Sequence, residues 1–247
     1  EATLDVYFDP ASNLPNGTGT ATVTDAGSTW TTDNLMVGMF GDGTLNVTSG
    51  GQVDTAEMWV GVGPDVEGQV VVNAGQVTVD PAEDEEGYLI AGVWGNGEIT
   101  INGGGQVSAP VAYVGGVPFA ILEMPYDADH VPDGTGTVHV DDDATLDVVG
   151  AAHVGYSGSG AVYVNTGGQV NTYATMVGVA PGSSGTVVID GTDGGAGWDV
   201  AVNDDPAIWC DGSTPYGAGD LGTPKAENVS CGDTPPGMDQ CTDPDTQ

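Results

Sequence analysis

Carboxylates are the chemistry this sequence holds in quantity. It has 36 Asp and Glu residues against one Lys, Lys225, with no Arg, three His and three Cys in 247 residues. Three acidic clusters stand out: Asp141, Asp142 and Asp143; Glu83, Asp84, Glu85 and Glu86; and Asp127 with Asp129. Calcium takes about six to eight oxygen ligands, many of them carboxylates, so it is the ion such clusters would suit. Asp141, Asp142 and Asp143 are the candidate calcium ligands. Neither a G-G-x-G-x-D nonapeptide nor an EF-hand loop is present, and a solvated acidic surface is the competing reading. No cofactor is required by any motif.

Paired carboxylates can also hydrolyse glycosides. Asp141 with Asp143, and Asp204 with Asp205, are the candidate pairs. Neither sits in a catalytic motif. A sugar lyase would need a strong base, and Lys225 stands alone in the C-terminal segment. The chain is therefore expected not to be an enzyme. His130, His139 and His153 are separated in sequence and have no nearby Cys, so they carry no transition-metal signature; in strands they read as surface residues. Cys210, Cys231 and Cys241 form no C-x-x-C pair. Of the three pairings open to them, a Cys210–Cys231 disulfide is expected, stapling a Gly- and Pro-rich segment that lacks a core of its own.

The formal net charge is −35. Nucleic acid needs a positive footprint, so it is excluded as a partner, and an anionic membrane surface is disfavoured. No run approaches the roughly 18 apolar residues of a membrane span. Such a surface repels itself unless salt or cations screen it, which points to a saline or calcium-rich exterior. The chain starts at Glu1, which reads as a mature secreted form, extracellular or at the cell surface.

The elements that must carry these residues repeat. Gly, any residue, an aliphatic, any residue, an aliphatic recurs from Gly19, Gly43, Gly68, Gly97, Gly136, Gly160 and Gly185, at steps of 24, 25, 29, 39, 24 and 25. A small-residue corner follows in each unit, as GGQV at 50–53, AGQV at 74–77 and GGQV at 104–107 and 167–170. A closing Val-Gly then appears at Val37-Gly38, Val60-Gly61, Val114-Gly115, Val154-Gly155 and Val177-Gly178. Period-2 alternation puts Leu45 and Val47 on one face and Thr44 and Asn46 on the other. Three short strands per unit, separated by Gly corners, make one coil of a parallel β-helix, with coils stacked about 4.8 Å apart. The expected fold is all-β: a β-solenoid of about seven coils, with Leu45, Val70, Ile99, Val138, Val162 and Val187 in one interior ladder.

The stretches GDGTLNVTSGGQVDTAEMWVGVG (41–63), GNGEITINGGGQVSAPVAYVGG (95–116) and GSGAVYVNTGGQVNTYATMVGVAPGSSGTVVI (158–189) resemble the repeat of autotransporter passenger domains and PEP-CTERM-associated surface proteins. The AGSTW stretch at 26–30 matches a variant of the middle corner. The resemblance covers roughly residues 17–202. It implies a secreted or surface-displayed, right-handed parallel β-helix and carries no catalytic residues with it.

Three domains of behaviour follow: an N-terminal strand at 1–16, the solenoid at 17–205, and an irregular Cys-, Pro- and Gly-rich segment at 206–247. Two units are enlarged, by DPAEDEEGY (80–88) and VPFAILEMPYDADHVPD (117–133), and solenoid inserts project as loops. Just before each closing Val-Gly lies Met36, Trp59, Ile90, Tyr113, His153 or Met176. If the Val ladder faces inward, this stripe faces outward as an apolar interface; the other reading is that the C-terminal segment covers it or the register is reversed. At the N-terminus, Leu4, Val6 and Phe8 alternate like a strand and are expected to pair with a neighbouring subunit, with Phe119, Ile121, Leu122, Met124 and Tyr126 reinforcing the joint. The expected function is a self-assembling extracellular filament, sheath or surface layer whose partner is another copy of itself. An adhesin that binds glycans is the competing class, and a polysaccharide hydrolase the third. Ice binding would need a repeated Thr ladder, and Thr18, Thr20, Thr22 and Thr24 are not repeated in later units. The sequons at Asn16, Asn46 and Asn228 mark glycosylation only in a host that performs it.

Overall fold

A computed structural model describes residues 2–4, 17–82, 87–122, 132–190, 196–200, 207–210, 214–217 and 228–231. Regular structure among them is β throughout, apart from one 3-10 turn at Phe119–Ile121. Sheet A holds β1 (Ala2–Leu4), β3 (Thr29–Val37), β5 (Gln52–Val60), β7 (Gln76–Val79), β8 (Tyr88–Ala91), β10 (Gln106–Ala109), β11 (Val111–Val114), β13 (Thr145–Val154), β15 (Gln169–Val177), β17 (Gly197–Val200), β18 (Ala207–Cys210) and β19 (Thr214–Gly217). Sheet B runs β2 (Thr18–Thr24), β4 (Asp42–Thr48), β6 (Glu67–Asn73), β9 (Asn96–Asn102), β12 (Thr135–Val140), β14 (Ser159–Asn165), β16 (Ser184–Asp190) and β20 (Asn228–Cys231). Pairing is parallel except where β20 meets β16 and β19 meets β18.

The result is a β-solenoid. The seven parallel strands of sheet B, from β2 to β16, mark six complete turns. Each long sheet A strand kinks midway, so a coil has three straight segments; in the third and fourth coils the two halves are separate strands, β7 with β8 and β10 with β11. The expected ladder forms in register: Ala21, Leu45, Val70, Ile99, Val138, Val162 and Val187 stack one above another. All but Ala21 are buried. Coil stacking lets each apolar face lie against the next, so the alternation read in one dimension becomes a continuous core.

Glycine explains the punctuation. Gly61 has φ +69°, and a Cβ there would run into the backbone of Asn96 and Gly97 in the next coil. Gly97 is equally confined, by the backbone of Val60 and Gly92. The closing Val-Gly and the opening Gly-x-aliphatic are thus two sides of one corner, where backbones approach too closely for side chains. The GGQV corner uses the left-handed region as well: Ser49, Ala74, Gly103, Asp142 and Thr166 all have positive φ. Corner amides bond between coils, Ser49 N–H to the Asn73 carbonyl at 3.1 Å and Ala74 N–H to that of Asn102 at 3.2 Å.

One interior column runs Trp30, Val53, Val77, Val107, Leu146, Val170, Trp198. Tryptophan occupies its first and last rungs, half-buried and packed on the core. A large indole at each end of the column covers the aliphatic rung next to it, Val53 or Val170. The N-terminal strand corrects an expectation. Leu4 pairs in parallel with Val37 of its own chain, and Ala2 and Thr3 pair with Leu35 and Met36. Residues 2–4 therefore continue the stack of their own chain as the end strand of sheet A. Val6 and Phe8 lie outside the described residues.

Candidate functional site

The outward stripe on the second half of sheet A is continuous in register, running Met36, Trp59, Ile90, Tyr113, His153, Met176. It points away from the Val ladder, as alternation requires. It is not an exposed interface. Trp59, Ile90 and Tyr113 are buried in a second cluster with Val62, Tyr88, Val93 and Val117, against which Met36, Met39, Trp94, Ile121 and Leu122 pack. Met36 and Met176, one at each end, stay half-buried.

The chain's own segments make the cover. Val62 and Val93 follow the corner glycines Gly61 and Gly92, and Ile121 and Leu122 come from the fourth unit's insert. The Ser157 hydroxyl reaches the Val117 carbonyl at 3.3 Å and also the Pro132 carbonyl, tying the two ends of that insert together. The described ends of the insert, residues 117–122 and 132–133, thus lie against their own solenoid. Phe119 lies in the 3-10 turn, while Met124 and Tyr126 fall outside the described residues. The Trp59 indole N–H donates to Glu57 at 3.1 Å, two residues earlier on the same outward face.

His153 is buried, contrary to the surface position expected for it. Its ring stacks on Tyr113 with centroids 4.6 Å apart and 10° between planes, and meets Tyr156 edge-on at 5.6 Å. Its Nδ1 has no hydrogen-bond partner. Burial pushes its pKa down to about 4, because nothing at the site compensates a charged ring. His139 sits outward on sheet B, half-buried, and stacks on Tyr163 at 5.0 Å.

The acidic triplet shapes a corner and does not gather into an ion cage. Asp142 and Asp143 are exposed with φ of 52° and 61°, a region that short polar side chains tolerate. Asp141 accepts from the Asn165 amide of the next coil at 2.8 Å. Among the described residues no three His, Cys, Asp or Glu side chains come together closely enough to hold a metal. Calcium at Asp141, Asp142 and Asp143 is thus unsupported by the described geometry.

Cys210 lies on sheet A beside Val177, and Cys231 lies on sheet B beside Gly185. Nothing in that placement supports a bond between them. Asp204 and Asp205 lie outside the described residues.

Two features escaped the sequence reading. The paired tryptophans needed the register to be seen as one column. The second is a bulge in β13, where pairing with β15 slips between Val148 and Ala151. Counting would have found it: eight positions separate Leu146 from the closing Val154, against seven from Val170 to Val177.

These features define a parallel β-solenoid repeat protein. The chain is similar to the uncharacterized lipoprotein YdeK of Escherichia coli (strain K12), being 32% identical over 121 residues, which is 49% of this chain. It spans 8% of that relative's length. No protein-family model matches the chain, and no solved structure matches it. No helix among the described residues is long and apolar enough to cross a membrane.

Proposed function

We propose that the chain is a non-catalytic structural protein of the cell surface whose subunits join end to end into a filament, sheath or surface layer. One observation carries this reading. At the N-terminal end, β2 is the last strand of sheet B, and the first half of β3 pairs with β5 alone. Their outer edges, Thr18–Thr24 and Thr29–Thr32, have no strand partner among the described residues. The interior residues at that edge, Ala21 and Trp30, are half-buried where their counterparts in the next coil, Leu45 and Val53, are fully buried. Unpaired edges of this kind invite another chain. The opposite end carries β19 and β20 antiparallel to the stack, so the two ends differ and the contact is heterologous. Such contacts grow into open fibres. The likeness to a lipoprotein supports a place at the cell envelope.

The test is Ala21→Lys, an inward-pointing charge at the open edge. Intact protein is expected to form elongated assemblies in sedimentation velocity and negative-stain microscopy at physiological salt. The variant should remain single while its β-sheet circular dichroism is retained at the assay temperature, even though the partly buried charge lowers its melting temperature. A monomeric intact chain at every concentration, or a variant that assembles equally well, overturns the reading.

A further inference from the structure

Among the described residues only Phe40, Val149 and Tyr173 are large hydrophobic side chains left exposed. Two of them meet at the bulge in β13. Val149 is 79% exposed and Tyr173 is 49% exposed, and the register places Tyr173 opposite the extra residue of the bulge. A bulge sets two residues against one and re-aims the side chain it carries. This one is anchored. The Gly150 N–H donates to the Pro110 carbonyl at 2.8 Å, and a Cβ on Gly150 would stand 2.7 Å from that oxygen.

Tyr173 is held from beneath as well. Its neighbour Thr172 points inward, and the buried hydroxyls of Thr172 and Thr175 bond across the kink at 3.0 Å. The Trp198 indole N–H donates to the same Thr172 hydroxyl at 3.3 Å. The ring therefore projects from a fixed backbone, which is what a preorganised contact requires.

Beside this apolar pair is a polar one. Asn171 lies two residues before Tyr173 on the same outward face, about 6.7 Å along the strand. Its amide donates to Asp147 of the adjacent coil at 2.5 Å. Asp147 is exposed and Asn171 half-exposed, so each keeps hydrogen-bonding capacity toward solvent. An apolar platform with a carboxylate and an amide at one side matches a pyranose ring, whose C–H face is apolar and whose rim carries hydroxyls. The charge of the chain narrows the choice. At −35, it repels acidic polysaccharides.

We propose that Tyr173 and Val149, with the Asp147–Asn171 pair, form a binding platform for a neutral pyranose chain. The site goes beyond the assembly reading and is distinct from the N-terminal edge on which that reading rests, since Tyr173 and Asn171 project outward from β15. A glycan held there would attach the molecule, or a filament of it, to a neutral polysaccharide surface.

The experiment is calorimetric titration of the full chain with cellohexaose, chitohexaose, mannohexaose and, as the acidic control, hexagalacturonate. At least one neutral hexasaccharide is expected to bind, and the acidic one not to. Tyr173→Ala should weaken that binding by about tenfold or more. Tyr173→Phe should retain it, and Asn171→Ala should weaken it several-fold. All three variants should melt near the parent temperature, because the substituted atoms are outward. No binding of any neutral hexasaccharide up to about 5 mM, or undiminished binding by Tyr173→Ala, overturns the proposal. So does a Tyr173→Ala variant that loses self-assembly, because the patch would then be a contact between copies. Loss of assembly in Ala21→Lys with glycan binding intact would keep the two proposals distinct.

Discussion

His153 shows how one coil-to-coil contact changes the chemistry of a side chain. In an isolated strand its outward position would leave it in water with an ordinary pKa. Stacked on Tyr113 and closed in by Tyr156, it is neutral in the fold, with a pKa lowered from 6.5 to about 4 by burial. The folded state therefore binds the proton less readily than the unfolded chain does. The stability that goes with the neutral ring is complete above pH 6.5 and is lost as pH falls from 6.5 through 4. A separation of that size corresponds to roughly 3 kcal/mol at its fullest. Many carboxylates also titrate toward the bottom of this range, so the informative quantity is a difference. Denaturant melts of the parent chain and of His153→Phe, taken at intervals from pH 7 to pH 4, should show the parent losing roughly 3 kcal/mol relative to the variant as pH falls. Identical pH profiles would mean that the ring is solvated.

At the scale of the element, glycine sets the corners for two different reasons, and substitution separates them. Gly61 has a positive φ and also backbone from the next coil where a Cβ would go. Gly27 has a positive φ of +92° but nothing within 4 Å. Gly27→Ala should cost about 1–2 kcal/mol, the penalty of a left-handed alanine. Gly61→Ala must in addition push two coils apart, so its loss should exceed that of Gly27→Ala by at least about 2 kcal/mol. Urea midpoints read both. The corner pattern was legible in sequence because spacing alone reveals it. The bulge at Val149 and Gly150 was legible only by counting against its neighbours, and its consequence, an exposed Tyr173 beside an exposed Val149, needed the register with β15.

For the whole molecule the dominant long-range term is like-charge repulsion among 36 acidic side chains with one lysine to offset them. Stacked coils set acidic residues of successive turns on neighbouring strands, as in sheet B with Asp42 on β4 and Glu67 on β6. Screening should therefore raise stability. Raising sodium chloride from about 10 mM to about 500 mM shortens the Debye length from about 30 Å to under 5 Å. The melting temperature should climb across that range, and end-to-end assembly should strengthen with it. A flat or falling melting temperature would show that repulsion within one chain is not what limits its stability.

The solenoid itself was determined by the sequence alone. Alternation, glycine spacing and a repeat of about 24 residues are local properties, and a stack of coils is the arrangement that buries every aliphatic face they create. Tertiary structure decided what lies on the outside of that stack. Alternation says that Trp59, Tyr113 and His153 point outward, but whether outward means solvent depends on segments distant in sequence. Residues of the insert, Ile121 and Leu122, fold back over that face and turn an expected interface into a second core. The fate of Leu4 was also decided there, because a strand can pair with its own chain or with a neighbour through the same backbone groups. Its partner here is Val37 of the same chain. Both outcomes turn on proximity in space, which a periodic pattern along the chain does not encode.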